Sequence, residues 1–297
     1  MKKILFIYNK PASKKAELKQ QIHIDWVKDC RDMYNVNFWG KGYSDTDLIS
    51  LQKVIDNFKP DFIYMTMRKR YIKWLPDLTN IKVPKIFVEC DEYKWDSSES
   101  WYNQFDRVLC RQPWWEHVFA SRPYKTIGVQ MRKKEKSWEK IPVFKWSVRE
   151  HAFPTRKDMK KERKHVVFMG AVTRRGYTDR KMIRVKYRNQ IVFNKCFGYR
   201  YWLTLYGASA AICPTESNYG GFVPAKLFEY LASGTAVITN CDLVRYGIPE
   251  LEPFVIKYKT IAHLGKILKM DFKPYHNKAI DAMRNHTHKV RYRELFG

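Results

Sequence analysis

This sequence of 297 residues lacks long apolar segments, paired cysteines and short-period repeats. No stretch approaches the roughly 20 apolar residues that a membrane-spanning helix needs, so we expect no insertion into a membrane. The six cysteines are scattered without CxxC spacing, and His286 and His288 have no two further metal ligands near them in the sequence. We therefore predict a reduced, cytoplasmic protein without a metal site; for a viral chain this would be the host cytoplasm.

Acidic residues are also few, since 30 Asp and Glu accompany 56 Lys and Arg, which gives a net charge of +26. Residues 151–297 hold 27 basic and 11 acidic side chains, and residues 1–150 hold 29 and 19. Such a charge exceeds what solubility requires and favours a polyanionic partner, with nucleic acid as the first candidate. A lysine-rich surface without a specific partner is the alternative.

Two series of short apolar runs alternate with amphipathic stretches. The first series lies between Lys3 and Cys110, and the second begins at Val166 and continues to Ile256. This alternation is typical of βαβ units around a parallel sheet. We predict an α/β protein with one Rossmann-like domain at 1–147 and another at 148–297, which face each other across a cleft. The final helix could pack back on the first domain.

The clearest chemical signal lies in segment 209–239. Its sequence predicts a strand, a loop, a helix that begins near Pro224, a turn at Gly234 and a further strand. Gly220 and Gly221 in the loop allow a close approach of the backbone. The amino end of the predicted helix would favour a diphosphate, because its free N–H groups and its dipole attract negative charge.

Two charged residues share one face of this predicted helix. Lys226 can add a positive charge in the first turn, and Glu229, three residues later, can reach ribose hydroxyls. An isolated pair of this kind would be an ordinary surface ion pair. Glu229, however, lies within Leu-Phe-Glu-Tyr-Leu-Ala, which is apolar enough to be largely buried, and a buried carboxylate needs a partner. The pair is therefore a candidate binding site.

The second half resembles the nucleotide-sugar-binding half of GT-B glycosyltransferases, in particular the branch that includes the spore-maturation protein CgeB and related family 1/4-like transferases. The resemblance lies in Lys-Leu-Phe-Glu-Tyr-Leu-Ala-Ser-Gly at 226–234, in Val-Phe-Met-Gly at 167–170 followed by Tyr177 and Arg180, and in the closing run 286–292. It covers residues 142–297, whereas the first half matches only in outline, as an acceptor-binding domain.

The resemblance implies a nucleotide-diphosphate sugar as donor, with a UDP-sugar as first choice, and no obligatory metal. Glu229 would bind the ribose, and Lys226 and Arg180 the phosphates. Retaining members often carry a second glutamate eight residues before the ribose-binding one; Gly221 occupies that position here, so retention and inversion both stay open. The other residues expected to line the donor site are Gly170, Thr173, Arg174, Arg175, Tyr177, Gly220, Gly221 and Phe222.

Transfer of a sugar needs stabilisation of the leaving group and, in an inverting mechanism, a base. Negative charge develops on the departing nucleotide diphosphate, and the candidate catalytic cations are Lys226 and Arg180, together with Arg174 or Arg175. Asp91, in an acidic cluster after an apolar run, is the candidate base for the acceptor hydroxyl. A cluster that only offsets nearby lysines is the competing interpretation. The alternative bases are Glu89, Glu92, His23 and His117.

Basic and aromatic residues are interleaved in the first half, and this pattern favours a nucleic-acid acceptor. Core packing or a sugar platform is the competing explanation for the tryptophans. The candidate nucleic-acid contacts are Arg68, Lys69, Arg70, Lys73, Arg111 and Trp114.

The leading hypothesis is a DNA-modifying glycosyltransferase, as phages encode, that acts on a hydroxymethylpyrimidine or on a sugar already attached to the base. Ordinary bases have no aliphatic hydroxyl, so another enzyme must first install the nucleophile. One alternative is a glycosyltransferase for a cell-surface or spore polysaccharide. Another is a non-catalytic, nucleic-acid-binding relic of the GT-B fold.

Overall fold

The computed structural model divides the chain into two compact units. The first unit comprises Met1–Lys145 and Tyr292–Gly297, and the second comprises Trp146–Arg291. The division lies close to the boundary predicted at residue 147. The structure describes residues 1–9, 21–40, 42, 50–65, 75–89, 104–110, 145–172, 178–194, 196, 198–215 and 223–297.

The first unit is built around a five-stranded parallel sheet. Its elements are β1 (Lys3–Ile7), α1 (Gln21–Arg31), β2 (Asn35–Trp39), α2 (Leu51–Phe58), β3 (Phe62–Met65), β4 (Lys85–Glu89) and β5 (Arg107–Cys110). The strand order is β2-β1-β3-β4-β5, and each neighbouring pair is parallel. Most of β1 is apolar and buried, as expected for a strand in a sheet that is covered on both faces.

The second unit repeats this topology. Its strands are β6 (His165–Met169), β7 (Ile191–Asn194), β8 (Ala208–Cys213), β9 (Ala236–Thr239) and β10 (Val255–Lys257). Its α-helices are α3 (Arg156–Met159), α4 (Thr178–Tyr187), α5 (Tyr199–Tyr206), α6 (Ala225–Ala232), α7 (Ile261–Ile267) and α8 (Ile280–Met283). The strand order is β10-β9-β8-β6-β7. Read from β7 it equals the order of the first sheet, because the first strand of the unit, β6, again lies between the second strand, β7, and the third, β8. Short 3₁₀ helices occupy Glu150–Ala152, Pro249–Phe254, Lys273–Tyr275 and Arg284–His286.

Local capping explains where individual helices begin and end. The Ser50 side chain accepts a hydrogen bond from the Lys53 N–H and so caps α2, which ends at Lys59 in the left-handed conformation. Thr155 and Asp158 form a reciprocal capping box at the start of α3. These side chains satisfy backbone groups that a helix end leaves without partners inside the helix.

The last helix, α9 (His288–Phe296), completes the core of the first unit. Tyr292 is fully buried, its ring lies 4.2 Å from the Trp26 ring, and its hydroxyl donates to the Trp26 carbonyl. Phe296 is also buried and packs edge-on against Tyr64 with the ring centroids 5.9 Å apart. The final residues of the chain therefore belong to the aromatic core around β1 and β3.

Among the described residues, none of the helices combines the length and the apolar composition that a bilayer crossing demands. The same part of the chain contains no group of three or more His, Cys, Asp or Glu side chains arranged to hold a metal ion.

Candidate nucleotide-binding site

The carboxyl end of β6 brings together several residues of the predicted donor site. Gly170 follows the strand with a φ of 130°, a conformation that favours glycine, and its N–H donates to the Asn194 carbonyl at 2.9 Å. The carbonyl of Met169 accepts hydrogen bonds from the Lys226 ammonium at 2.5 Å and from the Tyr230 hydroxyl at 3.4 Å. Helix α6 is thereby fixed to the end of the first strand of this sheet.

Gly170 makes room for the Lys226 ammonium. A Cβ atom at position 170 would lie 2.3 Å from Lys226 Nζ, far inside van der Waals contact. The cation therefore occupies space that any other residue at this position would fill. The two residues are far apart in the sequence, and the structure places them side by side.

Helix α6 explains why Lys226 is held here. The helix begins directly after Pro224, and Gly234 follows its end with a φ of 70°, as the sequence predicts. Most of the helix is buried, whereas Lys226 and Glu229 are only partly so. The buried residues, which fix the orientation of the helix, are Ala225, Leu227, Phe228, Tyr230, Leu231 and Ala232.

Glu229 is hydrogen-bonded to a residue that the sequence does not single out. The hydroxyl of Tyr201, in the first turn of α5, donates to Glu229 Oε2. Burial, followed by the negative charge of Glu229, holds the pKa of Tyr201 well above its usual value, so the phenol stays protonated and acts as a donor. This bond satisfies part of the hydrogen-bonding capacity of a carboxylate that is partly withdrawn from water.

Arg180 extends from α4 to the same end of the sheet. Its Nη2 donates to the Pro214 carbonyl at 3.4 Å, directly after β8. Burial raises the pKa of the Cys213 thiol, whereas the charges of Arg180 and Lys226 both act to lower it. Both cations are thus close enough to the end of β8 to influence the same group. A concentration of positive charge at this edge suits a phosphate ligand.

Within the closing run 286–292 of the resemblance, His286 and Arg291 have a structural role in the second unit. His286 is buried, and its ring lies 5.6 Å from that of Phe228 in α6. Arg291 donates to His286 Nδ1 at 2.9 Å, and His286 Nε2 lies 3.1 Å from a Glu250 carboxylate oxygen. Nδ1 is therefore the acceptor and Nε2 carries the proton. These contacts help to fix the face of α6 that carries Phe228.

Several predicted residues lie outside the described part of the chain. Those of the donor site are Thr173, Arg174, Arg175, Tyr177, Gly220, Gly221 and Phe222. Those of the acceptor side are the candidate base Asp91 and the candidate nucleic-acid contacts Arg68, Lys69, Arg70, Lys73, Arg111 and Trp114.

Comparison with known proteins defines the fold. No protein-family profile matches this sequence, and no curated protein is significantly similar to it. Solved structures do match, and they include glycosyltransferases of the GT-B fold. The prediction of an α/β GT-B fold is therefore confirmed, with two parallel sheets of the same strand order as its framework.

Three of these structures illustrate the similarity. Anabaena Alr3699/HepE in complex with UDP and glucose has a TM-score of 0.58 at 12% identity, over 99% of this chain and 98% of its own. The DNA-modifying enzyme β-glucosyltransferase, solved with and without its substrate uridine diphosphoglucose, has a TM-score of 0.54 at 13% identity. The match covers 99% of this chain and 96% of the enzyme. An α-glucosyltransferase in complex with UDP and a 13-mer DNA containing an HMU base has a TM-score of 0.52 at 10% identity, over 100% and 98%.

Proposed function

We propose that this chain is a glycosyltransferase that transfers a sugar from a UDP-sugar to a hydroxyl group on modified DNA. The observation that carries the proposal is the contact between Gly170 and the Lys226 ammonium at the end of β6, with Glu229 on the next turn of α6. A phosphate-binding cation and a ribose-binding carboxylate at the carboxyl end of a parallel sheet are what a nucleotide-sugar donor requires.

In this proposal Lys226 binds the diphosphate and stabilises the negative charge that develops when the bond to the sugar breaks. An ammonium group carries several N–H donors, so Lys226 can keep its bond to the Met169 carbonyl while it donates to phosphate. Arg180, which reaches the end of β8, supplies a second cation. Because both cations are held by backbone carbonyls, they are oriented before the reaction begins.

The choice of modified DNA as acceptor rests on the positive charge of the chain and on its similarity to the two glucosyltransferases that are related to DNA. The chain carries a net charge of +26, and α4 with the turn after it exposes four cations on the second unit: Lys181, Arg184, Lys186 and Arg188. Cationic surfaces of this kind bind DNA through its phosphates, with an affinity that falls steeply as salt rises. The nucleophile would be the hydroxyl of a hydroxymethylpyrimidine or of a base-linked sugar, and the base would leave the stack to react.

The first unit is proposed to bind the acceptor. Asp91 would take the proton from the attacking hydroxyl in an inverting reaction. The residues proposed to contact the DNA are Arg68, Lys69, Arg70, Lys73, Arg111 and Trp114.

The test is transfer of label from radioactive UDP-glucose and UDP-N-acetylglucosamine to duplex DNA that contains 5-hydroxymethylcytosine or 5-hydroxymethyluracil. We expect label in the hydroxymethylated duplex and none in an unmodified duplex of the same sequence. A Lys226→Met variant is expected to lose the activity, whereas Lys266→Met, at an exposed position of α7, is expected to keep it. Breakdown of the UDP-sugar without labelled DNA would contradict the DNA acceptor.

A further inference from the structure

We propose that Tyr201 is a positioning residue that fixes the Glu229 carboxylate for the ribose hydroxyls of the donor, and that this contact makes the site select ribonucleotides over their deoxy analogues. The inference rests on the proposed function and extends it, because it concerns a residue of α5 that the donor-site prediction does not include.

The contact joins two helices that strand β8 separates in the sequence. Tyr201 lies in α5 and Glu229 in α6, 28 residues later, and the phenol donates to Oε2 of the carboxylate. Helix α5 is anchored at its other end, where Leu205 and Tyr206 are buried and the Tyr206 hydroxyl donates to the His151 carbonyl at 3.2 Å. The Tyr201 hydroxyl is therefore presented from a fixed element.

The direction of this hydrogen bond suits a ribose site. An ionised carboxylate only accepts hydrogen bonds, and it offers about four lone-pair positions. The phenol uses one of them, and ribose hydroxyls can donate to others. Because burial keeps the pKa of Tyr201 well above its usual value, the phenol retains its proton and gives it to Oε2, and the other lone pairs of the carboxylate stay available to ribose hydroxyls.

The physical effect of Tyr201 is to reduce the freedom of Glu229 before the ligand arrives. Fixing a glutamate side chain costs rotamer entropy. When the tyrosine has already fixed it, the nucleotide does not have to supply this free energy on binding. The benefit appears only for ligands that use the carboxylate, which are those with ribose hydroxyls.

The experiment compares UDP with 2′,3′-dideoxyuridine diphosphate by calorimetry on the full chain. We expect the wild-type chain to prefer UDP by at least roughly tenfold, as hydrogen bonds to a charged group imply. Tyr201→Phe is expected to weaken UDP binding roughly three- to tenfold and to leave dideoxy-UDP binding unchanged, which reduces the preference by the same factor. Tyr199→Phe removes a phenol from an exposed position of the same helix, and is expected to leave both affinities unchanged.

A second pair of variants separates positioning from a general structural effect. In a Glu229→Ala background, Tyr201→Phe should no longer alter the preference for UDP, because the carboxylate that Tyr201 positions is absent. An equal loss of both affinities in Tyr201→Phe, or an unchanged preference for UDP, would overturn the inference and leave the proposed function standing. Absence of UDP binding by the wild-type chain would overturn both.

Discussion

The two sheets share one strand order and differ in the residue that comes directly after the first strand. In the first unit this residue is Tyr8, whose N–H donates to the Trp39 carbonyl at 2.9 Å; in the second unit it is Gly170, whose N–H donates to the Asn194 carbonyl at 2.9 Å. Tyr8 is buried and its side chain belongs to the core of the first unit. The same backbone junction thus carries a core ring in one sheet and adjoins a lysine ammonium in the other.

This difference shows that the fold provides the place for a site and the side chains decide whether one exists. The repeated topology brings the first strand to the same position in each sheet, between the second and the third. In the second sheet a glycine ends this strand, with the Lys226 cation beside it. In the first unit, many of the aromatic residues instead pack into a core that the last helix completes.

The largest effect, on the free energy of unfolding, is expected from removing a buried side chain that α9 contributes to the core of the first unit. Tyr292→Ala should lower the free energy of unfolding by about 3–5 kcal/mol, because it leaves a cavity beside Trp26 and deletes a buried ring. Urea unfolding measures the loss, and amide exchange should locate it in β1 and β3. Arg293→Ala, at an exposed position of the same helix, should change little. Loss of UDP affinity with unchanged stability would contradict the assignment of α9 to the first unit.

A smaller effect is expected at the junction after β6. Gly170→Ala should weaken UDP binding by roughly tenfold or more, because the methyl group must displace the Lys226 ammonium and the φ of 130° is strained for alanine. Gly207→Ala is the matched control, since its Cβ would meet only the Leu203 carbonyl oxygen at 3.5 Å, an ordinary contact. Equal affinities for UDP in the wild-type chain and Gly170→Ala would show that this junction does not shape the site.

The smallest effect is expected at the capping box that opens α3 in the second unit. Hydrogen bonds from Lys161 and Thr155 lower the pKa of Asp158 to about 2. Because this pKa lies below the unfolded value of 3.8, the stabilisation is complete above about pH 4 and is lost as pH falls toward 2. Asp158→Asn should therefore reduce stability by at most about 1 kcal/mol at pH 7, and less as the pH falls.

Urea titrations between about pH 7 and about pH 2 measure this difference, because most of the stabilisation by the carboxylate is lost within this range. Glu162→Gln is the control, since its ion pair with Lys164 is exposed on both sides. A difference between Asp158→Asn and the wild-type chain that stays constant over the whole range would show that the carboxylate does not act through its charge.

Much of the second unit could be predicted because its signals are local. The start of α6 after Pro224, its end before Gly234 and the burial of most of its residues follow from capping preferences and from its apolar composition, whereas Glu229 is less buried than predicted. The fold class follows from the alternation of apolar runs and helical stretches. These are properties of neighbouring residues, and a sequence displays them directly.

The missed features depend on contacts between distant residues. Nothing in the spacing of Tyr201 and Glu229 indicates that α5 and α6 bring their side chains together. The clash that a side chain at Gly170 would make with Lys226 is equally invisible, because the glycine has an ordinary place after an apolar strand. Such pairings are set by how helices pack on the sheet, which the sequence specifies only through the whole fold.

The most direct test of the account is a calorimetric titration of UDP into the wild-type chain and into Lys226→Met, with Lys266→Met as control. Methionine keeps the apolar stem and removes the charge, so the difference measures what the ammonium contributes. We expect UDP to bind the wild-type chain and the control alike, and Lys226→Met about 2–3 kcal/mol more weakly, which is roughly 30- to 150-fold. Equal binding to all three proteins, or binding to none, would contradict the claim that the end of β6 holds a nucleotide diphosphate.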